Sequence, residues 1–117
     1  MTISLSGVGG NGTASEIGDL TGINYEEVNQ FLCSLGAKVT TSKTGEYTTY
    51  KFPDQSSITI RNSDGRVSRI PSPKYNSDGR NINKGLRLGK DGRLLKTLDQ
   101  FNNFIPNTHN TGEYILC

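Results

Sequence analysis

The spacing of apolar residues changes once along this chain, at Gly36, and that change limits the fold more than any other feature. Before it, Tyr25, Val28, Phe31, Leu32 and Leu35 recur at intervals of three and four, which lines one face of a helix. After it the period is two, and Thr and Tyr become frequent in Val39-Thr40-Thr41 and Glu46-Tyr47-Thr48-Thr49-Tyr50-Lys51-Phe52, as in half-buried strands. A helical start followed by a run of strands predicts an α+β domain. It divides into a flexible lead over 1–12, helices over 13–36, and a sheet with a basic loop over 37–117.

Local signals place the elements. Thr13 with Glu16 fits a capping box opening a first helix over Ala14, Ile17 and Leu20, with Gly22 as its stop. Asn24 can cap the second helix, with Glu27 reaching back, and Gly36 ends it. Lys43-Thr44-Gly45, Pro53-Asp54 and Ser63-Asp64-Gly65 separate extended runs, the last of them Arg66-Val67-Ser68-Arg69-Ile70, giving a meander of about four strands. Asp-Gly-Arg recurs at 64–66, 78–80 and 91–93 and reads as three turns, with glycine supplying the positive φ and the Asp oxygen holding the bend. Pro71-Ser72-Pro73 breaks the sheet and opens an irregular loop through Asn81-Ile82-Asn83-Lys84-Gly85. Leu98 to Phe104 reads as a short helix, and Thr108 to Leu116 as a closing turn and strand that brings the sheet to four or five.

With 117 residues and 32 % hydrophobic side chains, the chain amounts to one domain with a thin core. No stretch approaches the roughly 18 apolar residues of a membrane span, and the N-terminus lacks the charged-then-apolar order of a signal peptide. Cys33 and Cys117 make neither a disulfide framework nor a metal-ligand cluster, and both read as unpaired.

The net charge of +2 conceals a division. Residues 61–96 hold ten basic side chains against three acidic, a balance of +7, while the rest holds three against eight, or −5. A block this basic suits phosphates along a nucleic-acid backbone, and Tyr75 beside Lys74 can stack on an unpaired base. His109, the only histidine, is the side chain best suited to proton transfer near pH 7. RNA supplies its own nucleophile in the 2′-hydroxyl, so a base, an acid and cations for the phosphorane suffice. There is no carboxylate or histidine cluster of metal-ligand spacing, no P-loop, and no Ser or Cys nucleophile motif. Residues 14–28 also have the outline of a helix-turn-helix, with the following hairpin as a wing. Glu26 and Glu27 on its second helix, however, would meet a negatively charged groove.

Taken in order, Tyr50-Lys51-Phe52-Pro53-Asp54, Ile58-Thr59-Ile60-Arg61, Asp64-Gly65-Arg66-Val67-Ser68-Arg69, Lys74-Tyr75, Asn81-Ile82-Asn83-Lys84-Gly85-Leu86-Arg87-Leu88 and Thr108-His109-Asn110-Thr111-Gly112-Glu113 resemble the C-terminal toxin domains of bacterial polymorphic toxins. Contact-dependent growth inhibition and Rhs-type proteins carry such domains, and the likeness covers roughly residues 30–114. The resemblance implies two N-terminal helices packed on a twisted antiparallel sheet, as in the group of barnase, the poly(U)-type endonucleases, colicin RNases and RelE. It further implies a metal-independent RNase without cofactor, acting on tRNA and restrained by a cognate acidic immunity protein. Delivery would be from a producing bacterium, within a larger secreted or surface protein, into the target-cell cytoplasm. Carried onto this sequence, it implies catalysis by His109, Thr111, Lys84 and Arg87. Arg66, Arg69, Lys74, Tyr75 and Arg80 would hold the RNA. The alternatives are a winged-helix DNA-binding regulator and a non-catalytic domain docking an acidic protein.

Overall fold

The computed structural model of the chain describes residues 3–7, 9–95, 101 and 110–116. In order these form α1 (Thr13–Glu16), α2 (Tyr25–Ser34), β1 (Lys38–Thr41), β2 (Tyr47–Lys51), β3 (Ser57–Arg61) and β4 (Val67–Ile70). The strands make one antiparallel sheet in chain order, so each is joined to the next by a tight turn. The chain is thus α+β, with its strands where the period of two placed them.

Helix α2 follows its sequence signals. The Asn24 side chain accepts from the Glu26 amide at 2.8 Å, satisfying one of the helix's orphan donors, and Gly36 leaves the last turn at a φ of 85°. Val28 and Leu32 are buried, in one cluster with Tyr50, Ile58, Ile60 and Val67 of the sheet, Ala14, Ile17, Leu20 and Ile23 before α2, and Leu88 and Ile115 after the sheet. Each such aliphatic side chain contributes about 1.5–3 kcal/mol by leaving water.

The first helix is shorter than expected. It is a single turn, its N-cap is Gly12, and no side-chain cap of its own forms. Asp54, from the turn between β2 and β3, takes that role: Oδ2 accepts from the Thr13 amide at 2.6 Å and the Thr13 hydroxyl at 2.8 Å. Arg69 ends the helix from the other side. Its guanidinium occupies the carbonyls of Ala14, Ile17 and Gly18, which a longer helix would have given to its own amides. Ahead of α1, Gly7 donates to Glu16 O, Gly9 to Ser15 O, and Ser4 O accepts from Gly18, so the described part of the lead is tied to this turn.

The sheet gains no fifth strand among the described residues. The place beside β4 is shared by two short segments. Tyr114 bridges Arg66, just ahead of the strand, and Leu88 bridges Arg69 within it. The predicted irregular loop is also more ordered than expected. Tyr75 pairs with Asn81 around the turn at Asp78-Gly79, and Leu88 pairs with Leu94 around the turn at Asp91-Gly92. Asp64 and Asp91 hold their turns through Oδ1 to the amides of Arg66 and Arg93, whereas at the middle turn Asn76 does this, accepting from both Asp78 and Arg80. Of the helix expected over Leu98 to Phe104, only Phe101 is described, and His109, Lys96 and Cys117 lie outside the described residues. Cys33 sits on α2 and is exposed.

Candidate nucleic-acid interface

Pairing fixes which side chains share a face, since opposed residues project the same way and neighbours alternate. One row runs Val39, Tyr50, Ile58, Arg69 and another Thr41, Thr48, Ile60, Val67. Their members on β2, β3 and β4 are buried in the core, while Val39 and Thr41 on the edge strand β1 stay exposed. The other face therefore carries Thr40, Thr49, Thr59 and Ser68 as a row of hydroxyls, with the Thr49 and Thr59 oxygens 3.1 Å apart. Toward one end of this open face lie Lys38, Lys51, Ser57 and Ile70, and toward the other Tyr47 and Arg61.

At the lysine end the hairpin that follows β4 closes over the sheet and leaves a groove of about 460 Å³. Lys51, Gln55, Tyr75, Asn81, Asn83 and Lys84 supply its polar lining, with Ile70, Pro71 and Pro73 beneath them. A second groove, about 320 Å³, lies across Lys51 and Gln55 and reaches Lys38. The local sequence explains this shape. Pro71 and Pro73 cannot donate to a sheet, so β4 ends at Ile70. Asn81 Oδ1 then accepts from the amides of Lys74 and Asn83, and Asn83 Nδ2 donates to Ser72 O, which folds the basic hairpin back on itself. Tyr75 is left 66 % exposed, with its ring open to a stacking partner. Gln55 is held at a φ of 74°, a conformation that costs an ordinary side chain about 1–2 kcal/mol.

The basic residues divide by what already neutralises them. Arg61 is held bidentately by Asp64, whose carboxyl that pairing keeps down at about 2. Lys90 reaches Asp19 at 3.9 Å and Arg93 reaches Asp91 at 3.5 Å. Lys51, Arg66, Lys74, Arg80, Lys84 and Arg87 form no ion pair with a described residue. Of these, Lys84 joins Lys51 and Tyr75 in the groove, and Lys74 and Arg80 are exposed on the hairpin beside Tyr75. Arg87 is half-buried with Nη1 on Leu86 O, next to the Leu88 bridge, while Arg66 lies at the far end of the open face.

Arg69 leaves the set. It is fully buried, and all five of its donor hydrogens are used: Nε and Nη2 on Glu113, Nη1 on Ala14 O and Ile17 O, and Nη2 again on Gly18 O. Nothing remains for a phosphate. Thr111 is also engaged structurally, since its hydroxyl donates to Val67 O at 3.3 Å and accepts from the Glu113 amide at 3.0 Å. The same structure brings in Lys51, Lys38 and Gln55, which a charge window over 61–96 passes by. Lys51 shares the parity of Thr49 and Tyr47 in β2, and that is its available signal.

The helix-turn-helix outline does not form, because a four-residue α1 is too short to be its first helix. Comparison of the chain with protein-family models, curated proteins and solved structures yields no match.

Proposed function

We propose that the chain is a metal-independent endoribonuclease of the toxin type, cutting tRNA through the RNA's own 2′-hydroxyl. The observation that carries this reading is the groove at the lysine end of the open face. There Lys51, Lys84, amide side chains and the exposed Tyr75 ring converge, with no carboxylate among the described residues of the lining. In the reaction a base takes the 2′-hydroxyl proton, O2′ bonds to phosphorus, and the bond from phosphorus to O5′ breaks. The leaving oxygen takes up a proton, giving a 2′,3′-cyclic phosphate and a 5′-hydroxyl end. His109 is the group assigned to proton transfer, as the sole histidine of the sequence. Lys84 and Arg87 stabilise the extra negative charge of the phosphorane, and Lys74, Tyr75 and Arg80 hold the strand. Thr111 keeps its place at the edge of β4. The same cations suit an acidic immunity protein that covers the groove until the domain, delivered as part of a larger secreted or surface protein of the producing bacterium, reaches the cytoplasm of a target cell.

Neutralising the groove tests the reading directly. Lys51→Ala and Lys84→Ala together are expected to weaken RNA binding about 10-fold or more at low salt. The slope of log affinity against log salt should also fall, by about 0.7 for each phosphate that the variant no longer neutralises. Lys90→Ala and Arg93→Ala remove cations that already have carboxylate partners and should leave binding nearly unchanged. Equal effects from both pairs would reduce the groove to bulk charge and overturn the assignment.

A further inference from the structure

The opposite end of the open face carries a second row that the groove does not use. Tyr47 lies opposite Arg61, the Arg61 amide donates to Arg66 O at 2.8 Å, and Arg66 bridges Tyr114. Thr48, Ile60, Val67, Glu113 and Ile115, the neighbours of these four, are all buried, so the four project together from the open face. The row therefore reads ring, guanidinium, guanidinium, ring across three strand spacings, about 14 Å, and stands about 13 Å along the strands from the row of Lys51. Tyr47 is 36 % exposed and Tyr114 47 %, and neither hydroxyl bonds to a described residue. Asp64 fixes the Arg61 guanidinium in place and cancels its charge, so among the described residues Arg66 is the free cation of the row.

We propose that this row is a second contact for the RNA, a platform on which unpaired bases stack beyond the point of cleavage. The inference rests on the ribonuclease reading and deepens it by naming the substrate as single-stranded for several nucleotides past the groove. Bases in a duplex have their faces covered, whereas exposed tyrosine rings need a free base face to stack on. The hydroxyl row of Thr49, Thr59 and Ser68 connects the two ends without a charge to obstruct the backbone. Tyr and Arg also dominate protein interfaces, but there the anchors fill pockets, and this row stands on the same open face as the basic groove.

The test uses the full chain and 2′-O-methyl oligonucleotides of 4 and 12 nucleotides, which cannot be cut through the 2′-oxygen. Tyr47→Ala with Tyr114→Ala is expected to weaken the 12-mer about 10-fold or more, from about 1–3 kcal/mol per stacked base, with the 4-mer little changed. Tyr47→Phe with Tyr114→Phe keeps both ring faces and should restore 12-mer binding. If the alanine pair leaves the 12-mer unaffected while Lys51→Ala with Lys84→Ala weakens both lengths, the platform is overturned and the groove stands. If the folded wild-type chain binds neither length, both readings fall. If the alanine pair abolishes binding of an acidic protein partner and leaves RNA binding intact, the row is a protein interface and the proposal is overturned.

Discussion

Arg69 and Glu113, 44 residues apart in sequence, meet fully buried, with Arg69 Nε 2.8 Å from Oε1 and Nη2 2.7 Å from Oε2 of the carboxylate. Glu113 Oε2 also accepts from the Leu20 amide at 2.7 Å, so this pair joins β4, the C-terminal segment and the turn after α1. Removing one partner leaves an uncompensated buried charge, at a cost of about 3–5 kcal/mol. Glu113→Ala and Arg69→Ala should each lower the urea midpoint by that equivalent, and Arg69→Lys, with three donors instead of five, should recover little. A decrease below about 1 kcal/mol in all three would contradict this role.

Asp54 links acid sensitivity to α1. Burial raises its carboxyl's pKa, but hydrogen bonds from Ser56 and then from Thr13 outweigh that, leaving it below its ordinary value. A carboxyl whose folded pKa is depressed contributes stability that is present above its unfolded value and is lost as pH falls through the folded one. The domain should therefore lose stability progressively below about pH 4. Asp54→Ala should cost about 1 kcal/mol at pH 7, as for removal of a helix cap, and flatten that acid limb. Unfolding curves at pH 7, 4 and 2.5 check it, and an unchanged acid limb would contradict it.

On the ribonuclease reading, Gln55 sets stability against binding. Glycine at its φ of 74° removes about 1–2 kcal/mol of strain, offset by about 0.5–1 kcal/mol of added chain entropy. Gln55→Gly should leave the melting temperature level or slightly raised, while RNA affinity falls because a polar group leaves the groove. A drop in stability with binding intact would contradict both halves.

Gly65 marks a close approach. A Cβ there would stand 2.2 Å from the carbonyl oxygen of Ile115, on a backbone already at a φ of 77°. Gly65→Ala should cost more than about 1 kcal/mol and loosen the segment beside β4, measurable as faster amide exchange at Ile115. Unchanged protection at that amide would contradict this close packing.

The sheet is legible in the sequence because alternation is a local signal: Tyr47 to Lys51, Ser57 to Arg61 and Val67 to Ile70 announce their own faces. The first helix is not, because Asp54 and Arg69 shape its two ends from 41 and more than 50 residues away. Charge assigns Arg69 to RNA, although it shares the parity of inward-facing Val67, and parity decides burial in a strand. Lys51 and Tyr47 escape notice for the converse reason. A charge window follows the chain, whereas the open face gathers its residues across strands.

Incubation of the folded chain with total tRNA in EDTA, alongside Lys84→Ala and His109→Ala, tests the ribonuclease reading most directly. Discrete cleavage products with 2′,3′-cyclic phosphate ends are expected from the wild type, with rates lowered about 100-fold or more in both variants. Absence of cleavage by a sample shown to be folded, or cleavage that survives His109→Ala undiminished, would contradict it.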